Sequence, residues 1–359
     1  MKGSRPQYLM TFSKAIVGQL HLIVIAIGIF ANLANASPEG GQITKPQDSL
    51  IIDLSKTYGF LQGQRLALEE ISKNFPDLAS KSKIASLEFA ISFGKSEQAI
   101  SKKMKDILGV RYEKSSSEII HQILEDPNSR IMTRDDAIRF ISEVESRARG
   151  IIPSPFLETL LTYQYIDNPR GEFSNKFIQT YTTKNHVKAG GLDMSLKKPV
   201  SWKSDEGDRP HVVQKFTSEN GRGNEMLLVL VKELPIDDRQ LPEQGLEELF
   251  SAEALKGMVP EGGTVISSRP TTIDNFKGGV IVFNQAMERI NTKYFVRMQM
   301  YVTLIGNKMI FIQFMVTDKD PSDSGLQEKF DKFEPLFLMI ANSIIIHSQY
   351  EDNNSKKPR

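Results

Sequence analysis

Beyond the first 36 residues, four histidines, two acidic loops and two Ser-x-x-Lys pairs are the residues whose types and spacing could do chemistry. His121, His186, His211 and His347 stand far apart, with no HExxH or His-x-His spacing to bring two ligands onto one face. Scattered in this way, they read as surface or structural residues. The acidic loops are Asp205-Glu206-Gly207-Asp208, leading to His211, and the group Asp318, Asp320 and Asp323. Closely spaced carboxylates can share a hard cation, but neither loop has the longer ligand series and terminal glutamate of an EF-hand. The simpler reading is a solvated turn, where aspartate caps nearby backbone amides.

Ser80-x-x-Lys83 and Ser92-x-x-Lys95 match the serine–lysine spacing of penicillin-recognising enzymes, yet the chain has no Lys-Thr-Gly partner and both pairs sit in an amphipathic, Ser- and Lys-rich stretch. Gly221-Arg222-Gly223 lacks the third glycine of a nucleotide loop and reads as a hairpin turn. No GxSxG or Walker sequence is present. We therefore expect no catalytic, cofactor-binding or metal-binding residue. Trp202 is the single tryptophan, and Pro199 before it implies a sharp strand exit. It is expected either to pack at a sheet edge or to contact a partner. Met287, Met298, Met300, Met309 and Met315 read as core filling, with an adaptable apolar binding surface as the other use of such residues.

The amino terminus bears on where such residues would work. Lys2, Arg5 and Lys14 precede the apolar run from Ala15 to Phe30, and Ala34-Asn35-Ala36 before Ser37-Pro38 is a small-x-small cleavage pattern. Residues 1–36 therefore read as a signal peptide cut between Ala36 and Ser37, and the alternative is an uncut anchor in the inner membrane. Absence of cysteine excludes disulfides, thiol nucleophiles, Cys-ligated zinc and a lipidated cysteine. The periplasm of a Gram-negative envelope is the expected location. Loss of the three cationic residues takes the formal charge from +1 to −2. Such balance gives no reason to expect nucleic acid, and a membrane only if the signal is retained.

The remaining 323 residues are long for one core, and apolar and charged fractions of 40% and 25% are those of a folded chain. Residues 37–46 read as a linker and 47–180 as an all-helical domain of five or six helices. Leu50, Leu54, Tyr58 and Leu61 open it at helical spacing, Phe75-Pro76 ends that element, and Ile84, Leu87 and Ile91 form the apolar stripe of the next before Gly94. Ser115-x-x-Glu118 and Thr133-x-x-Asp136 read as capping boxes, and Ser154-Pro155 as a further helix start. Asp126-Pro127 and Gly150 read as helix stops.

After the Asp167–Gly171 turn cluster the period changes to two. Val296, Met298, Met300, Val302 and Leu304 alternate with a mostly polar face of Arg297, Gln299, Tyr301 and Thr303. Gly306-Asn307 turns the chain into a strand over 308–317 that is apolar on both faces. Further strands are expected at 192–196, 212–217, 226–231, 264–273 and 278–288, with helices over about 242–256 and from about Gly325, where Pro335 should kink or restart the helix. The fold class is α+β: the helical domain, then a largely antiparallel sheet sandwiched by helices over 186–348, and a polar tail over 349–359 expected to be disordered.

The element order from His186 to Ser348, with Leu192-x-Met194-x-Leu196-x-x-Pro199-x-x-Trp202, resembles the PsbP-like group, which includes the extrinsic P protein of the photosystem II oxygen-evolving complex and the envelope protein DcrB. The resemblance implies an α/β/α sandwich acting in binding or assembly, and covers under half the chain. The large helical domain departs from the photosynthetic members and puts a photosystem role in doubt. The resulting expectation is an exported, non-enzymatic binding or assembly module with a protein partner in the envelope. The alternatives are a periplasmic hydrolase whose carboxylates meet only in the fold, and a carrier of a small ligand or metal.

Overall fold

The computed structural model describes residues 46–125, 133–235, 238–289, 292–318, 323–347 and 350. The expected cleavage residues Ala34, Ala36 and Ser37, the linker up to residue 45, the Asp126-Pro127 stop, Asp320 and the tail beyond 350 lie outside them. The chain divides into two compact units between Asp167 and Asn168.

The first unit is helical: α1 (Pro46–Asn74), α2 (Ala79–Leu108), α3 (Tyr112–Glu125), α4 (Arg134–Ala148) and α5 (Leu157–Gln164). α1 buries Leu54, Tyr58, Leu61, Leu68 and Ile71, one stripe at helical spacing. Pro76 stops it, and one turn of 3-10 helix (Pro76–Leu78) reverses the chain into α2. Thr133 caps α4 as expected: its hydroxyl accepts from the Asp136 N–H, and the Asp136 carboxylate accepts from the Thr133 N–H, both at 3.2 Å.

Four local expectations fail here. α2 runs straight through Gly94, because Phe93 and Ser96 on either side are buried against neighbouring helices. Its buried stripe is Ala85, Phe89, Phe93, Ile100 and Met104, whereas Ile84, Leu87 and Ile91 face solvent. Ser115 lies inside α3, which starts three residues earlier at Tyr112. α5 begins at Leu157 after Phe156 in a left-handed conformation, so Ser154 does not cap it.

In the second unit α6 (Arg170–Ser174) leads into β1 (Ile178–Thr182), which pairs with β2 (Met194–Pro199); this pairing makes 168–180 part of the sheet unit. β3 (Lys203–Glu206), β4 (Val212–Thr217) and β5 (Met226–Glu233) follow, then two short helices, α7 (Glu243–Leu249) and α8 (Ala252–Lys256). These replace the single helix expected there, because Ser251 breaks the run and caps α8 through the Ala254 N–H. β6 (Gly263–Ile273), β7 (Phe276–Arg289), β8 (Thr292–Ile305) and β9 (Lys308–Asp318) form consecutive hairpins, and α9 (Asp323–Ala341) and β10 (Ile345–Ile346) close the unit.

The main sheet is antiparallel throughout, in the order β3-β4-β5-β9-β8-β7-β6, and a small sheet has the order β1-β2-β10. β9 is central and covered on both faces, as its double apolar pattern predicts. One face buries Met298, Met300, Met309, Met315 and Phe311 with Phe250, Leu255 and Met258 from the α7–α8 region. The other packs Phe314, Ile312 and Val316 against Phe330, Phe333 and Phe337 of α9, together with Leu196 of the small sheet. This is the expected helix–sheet–helix arrangement.

α8 approaches so closely that a Cβ at Gly279 would sit 2.3 Å from Leu255, so β7 needs a glycine there. α9 continues through Pro335 instead of restarting, because Phe333, Leu336, Phe337 and Ile340 on both sides of it are buried in the same core. The polar face of β8 is buried as well. Arg297, 2% exposed, donates to Asn284 Oδ1 at 2.8 Å and to Gln327, and its guanidinium lies 5.7 Å from the Phe330 ring centre.

Candidate functional site

A buried carboxyl with a raised pKa, that of Glu172, lies under the Pro199–Trp202 turn. Proline ends β2, and the Trp202 N–H closes the turn onto the Pro199 carbonyl at 3.3 Å. α6 sets Glu172 beneath it, where the carboxylate accepts the Ser201 N–H at 2.8 Å and the Ser201 hydroxyl at 2.6 Å. From the end of β2 the Lys198 ammonium donates to the Trp202 carbonyl and stands 5.9 Å from the Phe216 ring centre. Burial pushes the Glu172 carboxyl up to about 7, against the opposing pull of the two Ser201 hydrogen bonds and the Lys198 charge.

A carboxylate poised near neutrality beside a serine hydroxyl has the parts of a base and a nucleophile. Glu172, Lys198 and Ser201 are, however, 3%, 4% and 4% exposed, so substrate atoms do not reach them in this conformation. What the cluster does is fasten the turn to α6. Trp202, 3% exposed, packs with Leu192, Leu196 and Phe216. It is thus a core residue, not the exposed partner contact weighed from sequence, because the turn folds the indole inward.

The other chemistry-bearing residues are kept apart. His121 pairs with Glu125 at 3.0 Å on α3, His186 Nδ1 accepts the Lys188 N–H at 3.3 Å, His211 is exposed, and His347 Nε2 lies 2.9 Å from Ser195 Oγ. The carboxylates of the first acidic loop each meet a lysine: Asp205 with Lys203, Glu206 with Lys188 and Asp208 with Lys215, at 3.0, 2.9 and 3.7 Å. Asp318 pairs with Lys329 at 2.8 Å. Among the described residues no group of three His, Asp or Glu is placed to hold a metal ion.

Ser92 donates to the Ala148 carbonyl at 2.8 Å, while Ser80 and Lys83 are both exposed on α2. The Gly221–Gly223 segment is the β4–β5 hairpin loop, where a Cβ at Gly223 would meet Ser218 Oγ at 1.7 Å. Met298, Met300, Met309 and Met315 are fully buried, in line with core filling.

One surface feature was not anticipated from sequence. Ile84, Leu87 and Ile91 are 49%, 55% and 81% exposed on the outer side of α2. Spacing of three and four residues puts them in one ridge, and the same line continues through Lys95, Lys102 and Lys105, all exposed. Two apolar stripes compete for the inside of α2, and the sequence signal for the outcome is the aromatic pair Phe89 and Phe93, which offers more area to bury than the three aliphatics. Among the described residues no helix is long and apolar enough to cross a membrane.

No protein-family model and no curated protein matches the chain. Solved structures similar to it include the PsbP protein of the cyanobacterium Synechocystis sp. PCC 6803, at 15% identity over 47% of this chain and 92% of that one, with a TM-score of 0.29. A second is LpqN of Mycobacterium tuberculosis, described as involved in cell envelope biogenesis, at 11% identity over 49% of this chain and 95% of that one, TM-score 0.27. A third is a Bacteroides thetaiotaomicron protein, at 10% identity over 43% and 44% of the two chains, TM-score 0.25.

Proposed function

We propose that this chain is an exported, non-enzymatic binding or assembly module of the cell envelope, working in the periplasm. The observation that carries the reading is the ridge Ile84, Leu87 and Ile91. Singly exposed aliphatics are ordinary on a protein surface, but three in register on one helix form a continuous apolar strip whose cover would release ordered water. The positive start, apolar run and Ala34-x-Ala36 pattern support export. The test is cell fractionation combined with a photo-crosslinking residue at position 87, against the same residue at Glu118, exposed on α3. A reproducible adduct from position 87 alone, in the periplasmic or envelope fraction, is the expected result. Recovery of the chain in the cytoplasm, or equal labelling from both positions, would overturn the reading.

A further inference from the structure

Charge on the same helix narrows the class of partner. α2 carries Lys81, Lys83, Lys95, Lys102, Lys103 and Lys105, all exposed, against Glu88, Glu97 and Asp106. Two of those acids are engaged elsewhere: Glu88 pairs with Arg149 at 2.9 Å, and Glu97 accepts from Gln62 at 2.7 Å. Among the described residues Lys95, Lys102 and Lys105, the lysines of the ridge, sit in no ion pair, so their charge is available to a partner. The ridge from Ile84 to Lys105 runs along a single helix for about 30 Å, apolar in its first half and basic in its second.

Three aliphatics fall well short of the roughly 800 Å² per partner that a stable protein interface buries, which argues against a second copy of the chain as the occupant. A surface that is itself extended, anionic and shallowly apolar fits both halves at once. Lysine ammonium groups meet lipid phosphates, and isoleucine and leucine side chains reach the acyl boundary. Building on the module reading above, we infer that the outer face of α2 is a peripheral docking surface for an anionic phospholipid bilayer, with Ile84, Leu87 and Ile91 entering the interface and Lys95, Lys102 and Lys105 lying on the headgroups.

Because the chain has no cysteine, Ile91→Cys provides a unique attachment point for an environment-sensitive fluorophore, with Glu118→Cys on α3 as the control. The labelled full-length chain is titrated with vesicles of phosphatidylcholine alone or of phosphatidylcholine and phosphatidylglycerol. The expected result is a blue shift at position 91 with anionic vesicles only, reversed by about 0.5 M salt. Adding Lys95→Gln, Lys102→Gln and Lys105→Gln to that chain should weaken its vesicle affinity on the order of a hundredfold. An equal shift with neutral vesicles would mean that another apolar segment delivers the chain, and would overturn the inference. So would no shift with either. A stoichiometric protein adduct from position 87, without a vesicle response, would overturn the lipid inference and leave the module reading standing; absence of both would end both.

Discussion

The Glu172 carboxylate receives both the backbone N–H and the hydroxyl of one residue, Ser201, at 2.8 and 2.6 Å in a site where neither side chain is more than 4% exposed. The Pro199–Trp202 turn is thereby tied to α6 by an ionisable group. Its stability must respond to pH in a range where ordinary carboxylates are silent.

Folding raises the Glu172 carboxyl from 4.5 to about 7, so the folded state holds this proton more tightly than the unfolded state. Its contribution to stability is full below pH 4.5 and is lost as pH rises through about 7. Urea unfolding at pH 5.5, 7 and 8.5 should show stability increasing toward pH 5.5. In Glu172→Gln, whose amide can accept from the Ser201 N–H and donate to its hydroxyl, this dependence should flatten while the fold persists. Carboxylates held low by partners, Asp77 by Arg134 and Glu243 by Lys277, act in the opposite sense and below this window. An unchanged slope in the variant would remove Glu172 as its source.

Thr133→Ala should cost about 1 kcal/mol, because it removes the hydroxyl that satisfies the Asp136 N–H at the first turn of α4. Thr133→Ser, which keeps the acceptor, should stay close to the parent in the same denaturation assay.

At Gly279 an added methyl would lie 2.3 and 2.5 Å from the two Leu255 methyl carbons. Gly279→Ala should therefore destabilise the protein by roughly 1–3 kcal/mol through overpacking. Combining it with Leu255→Ala should recover part of that loss, because both changes act on one contact.

Phe93→Ala and Leu87→Ser separate the two faces of α2. The first empties a site that is 1% exposed and should cost about 3–5 kcal/mol. The second alters a residue that is 55% exposed and should change stability by no more than about 0.5 kcal/mol. Thermal melts of the two variants decide which stripe holds the helical unit together.

Local signals carried much of the fold. The Phe75-Pro76 break, the Thr133 capping box, the Gly306-Asn307 turn and the doubly apolar β9 depend on backbone chemistry within a few residues, and the structure retains each. The short strands β1 and β3 escaped notice, since four or five mostly polar residues gain their ladder partners only from strands elsewhere in the chain.

By itself the sequence determined the α+β class, the change of period after residue 167, the absence of thiol chemistry and the special character of the Pro199–Trp202 turn. Those features follow from composition and near-neighbour spacing. Only the tertiary structure decided which apolar stripe of α2 turns inward, that the polar face of β8 lies beneath α9, and that Glu172 meets Ser201 from 29 residues away. Each of these compares surfaces brought together from distant segments. Burial follows the area and partners available after that encounter, which no local period encodes.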